Sequence, residues 1–194
     1  MYRSLWTLSL FAVAPLAFGQ VTGNPAGLSP DTPKIESATP AKDYANNQDK
    51  LFVRQAALGN RAEVELGKQA AGKSGSQAVK DYAARMQKEH SSSGDRLLKA
   101  GKPAKMEVPR DLDPEHLRIR DELSKLSGIE YDKAYLTAQI QDHQKTANLL
   151  LWHLSYGQNE DLLKYSSETL PVVLDHLEHA KREFAALAQT PPPR

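Results

Sequence analysis

Residues 129–156 read IEYDKAYLTAQIQDHQKTANLLLWHLSY, a stretch without proline. Apolar side chains recur along it at intervals of three and four residues, at Ile129, Leu136, Ile140, Ala147, Leu150 and Leu154. Because an α-helix completes a turn about every 3.6 residues, this spacing places them on one face of a helix. The stretch therefore predicts a long amphipathic helix that buries one side.

Three other stretches have the same spacing. They lie at roughly 48–71, 76–100 and 159–188, and the last of them is predicted to be interrupted or kinked near Pro171. Ser76 is the predicted N-cap of the second stretch. Alternating β-branched residues and Asn-Gly or Asp-Gly turns between apolar runs are missing, so a sheet has no support. The predicted fold class is all-α.

The connections between these helices indicate how they are arranged. The segments around 72–75 and Gly157 are short, which makes the helices on either side antiparallel neighbours. The segment 101–128 is long and contains the helix-start signal Asp113-Pro114-Glu115. We therefore predict an antiparallel four-helix bundle of two helical hairpins, joined by a long crossover that contains a short extra helix.

The ends of the chain differ in composition from the helical stretches. Residues 1–19 combine Arg3, an apolar run and the small residues Ala17 and Gly19, which predicts a secretory signal peptide cleaved after residue 19. A permanent anchor is the alternative, but the run is shorter than the roughly 20 residues of a membrane span. Residues 20–46 are rich in proline and predict a disordered tether, 47–189 the bundle, and 190–194 a disordered tail.

The composition excludes several classes of protein. The chain has no cysteine, which removes disulfides, thiolate metal sites and iron–sulfur clusters. Its 25 Lys and Arg balance 24 Asp and Glu, so no nucleic-acid partner is predicted. Residues 1–19 lead us to expect an exported protein. No membrane span is predicted after signal cleavage; an envelope protein or a lipid as partner stays open, as does the oligomeric state.

Four polar side chains lie on the apolar faces, near the middle of each long helix: Glu63, His90, His143 and His176. Imidazole nitrogens and a carboxylate converging from four helices are a common way for bundles to hold a metal. We therefore predict a mid-bundle site for one divalent or iron-type metal ion. Candidates for orienting the ligands from neighbouring helices are Glu65, Glu89, Asp142, Asp175 and His179.

Other interpretations of these four residues stay open. They also suit a metal-free network of buried hydrogen bonds that fixes the register of the helices. A di-iron centre requires Glu-x-x-His motifs, and no Glu in this chain has a His three residues later. A redox enzyme would further require an open coordination position, so we favour functions without catalysis. These are a structural, binding or stress-related module and, as the alternative, a metal-binding protein.

The order of several short motifs resembles a known family. It comprises residues 49–52, 56–59, 63–67, 79–83 and 89–90 in the first half, and 126–128, 131–135 and 170–171 in the second. This combination is similar to the exported bacterial family called domain of unknown function 4142. The resemblance implies a ferritin-like bundle in the bacterial envelope, and members are often labelled outer-membrane proteins. It thus implies a protein that is periplasmic or associated with the outer membrane of a Gram-negative bacterium. Since the family has no established activity, it implies no catalytic residues.

Overall fold

Helices account for almost all of the described chain. The structure is a computed structural model that describes residues 39–104, 108–109 and 111–189. Its α-helices are α1 (Asn47–Lys73), α2 (Gln77–Ala100), α3 (Pro114–Ser124), α4 (Gly128–Tyr156) and α5 (Glu160–Gln189), with a short 3₁₀ helix at Lys102–Ala104. The described ranges contain no β-strand apart from an isolated bridge between Ala41 and Asn159. The all-α class is confirmed, and the long helices begin and end within two residues of the predicted bounds.

The starts of the helices follow from their capping residues. The Asn46 side chain accepts from the N–H of Asp49 at 2.8 Å, and the Asp49 carboxylate accepts from the N–H of Asn46 at 2.8 Å, a reciprocal capping box. The Ser76 side chain caps α2 as predicted. Asp113 caps α3 by accepting two backbone N–H groups, with Pro114 in the first position of the helix.

The four long helices pack α1 against α2 and α4 against α5, with further contacts between α1 and α4 and between α2 and α5. At Gly67 on α1 an added Cβ would lie 2.9 Å from the carbonyl oxygen of Ala83 on α2, so a small residue is required for this close approach. The short helix α3 rests on α1 and α4. Within the described residues, no helix combines the length and the apolar character that crossing a bilayer requires.

The apolar core forms two clusters. One surrounds Phe52 and Trp152, and the other surrounds Tyr82, Tyr131 and Tyr135. On each long helix, the polar residue predicted for the site lies between residues of the first cluster and residues of the second. The candidate site is therefore enclosed by apolar packing on both sides along the bundle axis.

Two features of the chain bear on its predicted organisation. The helix α5 continues through Pro171 without a break, so the predicted interruption is wrong; the ring takes the place of one N–H but the remaining hydrogen bonds carry the helix. The last residues assigned to the tether are bonded to the α4–α5 turn, with Ala41 N–H on the Gln158 carbonyl at 2.9 Å and the Asn159 side chain on the Lys42 carbonyl. The signal peptide and the tail lie outside the described residues.

Candidate metal centre

Three of the four predicted site residues meet in the middle of the bundle. They are His90 on α2, His143 on α4 and His176 on α5, which are 7%, 1% and 1% exposed. One ring nitrogen from each lies within 4.8 Å of the other two. The ring centroids are 5.3–5.4 Å apart. These three side chains form what we call the histidine cluster.

The hydrogen-bond partners of the cluster decide which ring nitrogens carry hydrogen. Nδ1 of His143 lies 2.9 Å from the backbone carbonyl oxygen of Gln139, which can only accept, so this nitrogen donates. Nε2 of His176 lies 2.7 Å from Oε2 of Glu89 and donates to the carboxylate in the same way. In neutral rings the opposite nitrogens, Nε2 of His143 and Nδ1 of His176, then carry lone pairs.

His90 follows the same pattern. Its Nδ1 lies 2.9 Å from Oδ1 of Asn60, which assigns the hydrogen to Nδ1 and the lone pair to Nε2. This Nε2 is buried and has no hydrogen-bond partner. The Asn60 side chain is itself held by the hydroxyl of Tyr165 at 3.3 Å. Each imidazole of the cluster is therefore oriented by a fixed oxygen acceptor, with a lone pair on its other nitrogen.

Burial keeps these rings neutral. Burial lowers the pKa of His143 to about 4, with the neighbouring His176 adding to the shift and Asp142 opposing it. Burial and the two other rings hold the pKa of His90 well below its usual range. Burial likewise lowers the pKa of His176, although its bond to Glu89 acts in the opposite direction. At neutral pH the cluster thus presents uncharged nitrogen donors, the state that binds a metal.

The neutral tautomers leave two nitrogen lone pairs of the cluster facing each other. Nε2 of His143 and Nδ1 of His176 are 3.3 Å apart, which is a hydrogen-bond distance, but neither nitrogen carries a hydrogen in the neutral tautomers assigned above. Two lone pairs that face each other in a buried place need a proton or a cation between them. A metal ion coordinated by both nitrogens would satisfy both lone pairs at once.

Glu63, the fourth predicted site residue, lies beside the cluster and not within it. Its Oε1 is 3.9 Å from Nδ1 of His143, the nitrogen that bonds to the Gln139 carbonyl, so it faces the side of the ring opposite Nε2. Its Oε2 accepts from Nε2 of Gln139 at 2.7 Å. Burial, together with the nearby Asp142 carboxylate, holds the pKa of Glu63 well above its usual range.

Asp142 belongs to a polar group that reaches the crossover helix. Its Oδ1 lies 3.2 Å from Nε2 of His116 on α3, and the other ring nitrogen of His116 bonds to Asp113. Burial opposes protonation of this ring, but the bonds and charges of Asp142 and Asp113 raise the pKa of His116 to about 9. The charge of His116 in turn lowers the pKa of Asp142 against the effect of burial. This group ties α3 to α4 and involves a histidine that sequence reasoning did not select.

The remaining predicted orienting residues have different positions. Glu89 on α2 orients His176 on α5, a carboxylate acting on the histidine of a neighbouring helix as expected for such a group. Asp175 instead accepts from Arg85 at 2.7 Å, and His179 lies 3.3 Å from Glu183. Glu65 pairs with a lysine at the surface. The structure thus brings Glu89 to the cluster, whereas Asp175, His179 and Glu65 lie outside it.

A small cavity of about 20 Å³ borders the cluster at His90. It is lined mainly by apolar side chains, with Asn60, Thr146, Tyr165 and Thr169 as the polar ones. A volume of this size accommodates about one water molecule. The cavity therefore provides room beside His90 for a ligand no larger than a few atoms.

A second buried polar group lies near the α4–α5 turn and was not selected from sequence. Nε2 of His153 donates to Oδ1 of Asp49 at 2.9 Å, and Nδ1 lies 2.8 Å from the Ser166 hydroxyl. All three residues are 0% exposed, and the His153 ring stacks on Phe52 at 3.9 Å between centroids. Through these hydrogen bonds the group joins α1, α4 and α5. The sequence feature that could have identified His153 as buried is its position on the apolar face of the helix, three residues after Leu150.

A helical bundle that brings three buried, neutral histidines to one point defines a bundle protein with a candidate metal centre. The chain belongs to the family described as Domain of unknown function (DUF4142), which matches residues 34–182, so the resemblance noted from sequence is confirmed. It is also similar to the crystal structure of a DUF305 fragment from Deinococcus radiodurans, with a TM-score of 0.64 and 15% identity over 75% of this chain and 99% of that chain. At this identity the similarity concerns the fold alone. A comparison with curated proteins finds no match.

The burial of the cluster predicts an acid-sensitive fold. In the unfolded chain a histidine takes up its proton near pH 6.5, whereas His143 in the fold resists protonation until about pH 4. The free energy of unfolding of metal-free protein is therefore expected to fall as the pH drops through this window, by up to about 3 kcal/mol from this ring. His90, His176 and His153 act in the same direction, and Glu63, with its raised pKa, acts in the opposite direction.

Urea unfolding at about pH 7, 6 and 5 with a chelator present measures this dependence. His116 offsets a small part of this fall between pH 7 and 6, because a raised pKa gives stability that is complete only well below pH 6.5 and is lost progressively towards about pH 9. A free energy that stays constant between pH 7 and 5 would contradict the neutral, buried state of the histidine cluster.

Proposed function

We propose that this protein binds one divalent transition-metal ion through Nε2 of His90, Nε2 of His143 and Nδ1 of His176. The observation that carries the proposal is the 3.3 Å contact between two lone-pair nitrogens, each fixed by an oxygen acceptor on the other side of its ring. Metal-binding histidines commonly donate their second ring nitrogen to an oxygen in this manner.

The donor set indicates the class of metal. Three neutral imidazoles suit Zn²⁺, Cu²⁺, Ni²⁺, Co²⁺ or Fe²⁺, whereas Mg²⁺ and Ca²⁺ require oxygen ligands. Nitrogens bound to one tetrahedral ion at about 2.0–2.1 Å lie roughly 3.3–3.4 Å apart. The His143–His176 pair already has this spacing, at 3.3 Å. One ring nitrogen of each histidine lies within 4.8 Å of the other two, so His90 would approach the ion by a short movement of its side chain.

Glu63 remains a predicted ligand, but its position supports a different role. Its carboxyl group faces the donating nitrogen of His143 at 3.9 Å, on the side of the ring away from the nitrogen that would bind the ion. In the described chain no further His, Asp or Glu joins the three histidines. A four-coordinate ion would then take its last ligand from solvent, and the cavity beside His90 has room for a water molecule.

We further propose that the protein is exported to the bacterial envelope, periplasmic or attached to the outer membrane, and that its bundle is ferritin-like. The support for export is the signal-like composition of residues 1–19. The support for the arrangement is the close packing of α1 on α2 and of α4 on α5, with α3 in the crossover.

A second candidate function is an envelope binding or structural module with an inert polar core. The observation that favours it is the burial of the three histidines to 7% exposure or less, which leaves little access for a substrate. This candidate predicts that the cluster stays empty when metal is offered. The two candidates therefore differ in a direct binding measurement.

Titration of chelator-stripped protein with Zn²⁺ and with Co²⁺, followed by calorimetry, tests the proposal. We expect one ion per chain with a dissociation constant of about 1 μM or tighter, equivalent to roughly 8 kcal/mol. The variant Glu63→Gln should bind equally well if Glu63 only supports the ring, and at least about tenfold more weakly if it is a ligand. Absence of binding up to about 1 mM would favour the inert module.

A further inference from the structure

The three histidines differ in how closely their hydrogen-bond partners approach solvent. Asn60, the partner of His90, is 9% exposed, and Gln139, whose carbonyl bonds to His143, is 0% exposed. Glu89, the partner of His176, has a side chain that is 35% exposed. Of these three partners, Glu89 is therefore the one that connects the histidine cluster with the surface.

Arg85 binds the carboxylate of Glu89 near the surface. Its Nε donates to Oε1 of Glu89 at 2.9 Å, and its Nη2 donates to Oδ2 of Asp175 at 2.7 Å. Glu89 lies on α2 and Asp175 on α5, so the guanidinium bridges the two helices next to the carboxylate that holds His176. Both carboxylate oxygens of Glu89 are thereby occupied, one by Arg85 and one by His176.

The charges around Glu89 favour a cation once Arg85 no longer links Glu89 to Asp175. The carboxylates of Glu89 and Asp175 attract a divalent ion, whereas the guanidinium of Arg85 repels it and blocks the oxygen that would bind it first. The Arg85 side chain is 33% exposed, so it can move into solvent without disturbing the core. Glu89 keeps its bond to His176 when Arg85 leaves, and the ring keeps its tautomer.

We propose that a divalent metal ion enters and leaves the bundle between α2 and α5, past Glu89, and that Arg85 is the latch that limits the rate of both steps. This inference rests on the proposed function, because it assigns the route to that same site. Arg85 acts as a positioning residue, since it contacts the carboxylate of Glu89 and none of the three ligand nitrogens.

The test uses Arg85→Met, which keeps the length of the side chain and removes its charge and its hydrogen-bond donors. Loading with Co²⁺ is followed by stopped-flow absorbance, and release by transfer of the ion to excess EDTA. We expect both rates to rise about tenfold, with one ion per chain retained. Arg85→Lys, which keeps the charge but bonds to one carboxylate at a time, should give intermediate rates.

Arg118→Met is the matched control, because Arg118 forms a similar i,i+4 pair with Glu122 at 2.8 Å, exposed on α3. Its rates should equal those of the wild type, and thermal unfolding of every variant shows that the fold is kept. Unchanged loading and release rates in Arg85→Met, with stoichiometric binding by the wild type, would overturn the latch alone. A wild type that binds no Co²⁺ would overturn the proposed function and the latch together.

Discussion

Replacing His143 with alanine is expected to abolish stoichiometric metal binding, with a loss of affinity of at least about 100-fold. His143 supplies one of three ligand nitrogens and stands closest to another, 3.3 Å from Nδ1 of His176. Two histidines and solvent then remain to hold the ion. Calorimetric titration with Zn²⁺, supported by circular dichroism to show that the helices remain, measures the loss.

The control for this variant is His179→Ala. His179 lies on α5 almost one turn from His176, but its ring lies beside Glu183, Tyr82 and Arg85 and outside the cluster. This variant should bind one ion with unchanged affinity. If His143→Ala retained the affinity of the wild type while folded, the ion would be held elsewhere and the assignment of the cluster would be wrong.

Replacing Asp49 with alanine is expected to lower the free energy of unfolding by about 3–5 kcal/mol, the largest effect on stability that we predict. The Asp49 carboxylate is fully buried and accepts from backbone N–H groups of Asn46, Gln158 and Asn159 and from the ring of His153. Burial opposes its charge, but these hydrogen bonds outweigh burial and lower the pKa of Asp49. Its loss leaves these donors without their shared acceptor.

Chemical denaturation of Asp49→Ala beside Asp81→Ala measures this effect. Asp81 is an exposed aspartate on α2 that bonds to Gln77, and its removal should change stability by less than about 0.5 kcal/mol. Asp49→Ala that remains folded should still bind one metal ion, because Asp49 and the histidine cluster share no partner. A change below about 1 kcal/mol in Asp49→Ala would contradict its role in joining α1 to the α4–α5 turn.

The sequence predicted the helices and the meeting of the three histidines for the same physical reason. Apolar periodicity locates each buried face, and counting residues from the short turns places His90, His143 and His176 at one level of the bundle. The side of a ring on which a neighbour lies does not follow from periodicity. Glu63 lies at the same height in the bundle as His143, but its hydrogen bond with Gln139 places it beside Nδ1 of His143. The lone pair of His143 is on the other nitrogen, Nε2.

The residues that were missed depend on contacts between distant segments. His153 is held by Asp49, 104 positions away, and His116 by Asp142 across the crossover, so no local spacing identifies either pair. Pro171 was expected to disturb its helix, whereas α5 is continuous through this exposed position. Exposure at Glu89 and the bridge of Arg85 to Asp175 likewise become visible only once α2 and α5 are side by side.

Elemental analysis of the wild-type protein, purified from its own source without chelator or affinity tag, tests the central claim most directly. The account predicts close to one first-row transition-metal ion per chain, with His143→Ala prepared in parallel containing almost none. Protein that is free of metal as purified, and that stays free of it when offered zinc, cobalt, copper, iron and manganese, would contradict the account. The three histidines would then be a hydrogen-bonded network that holds the helices in register.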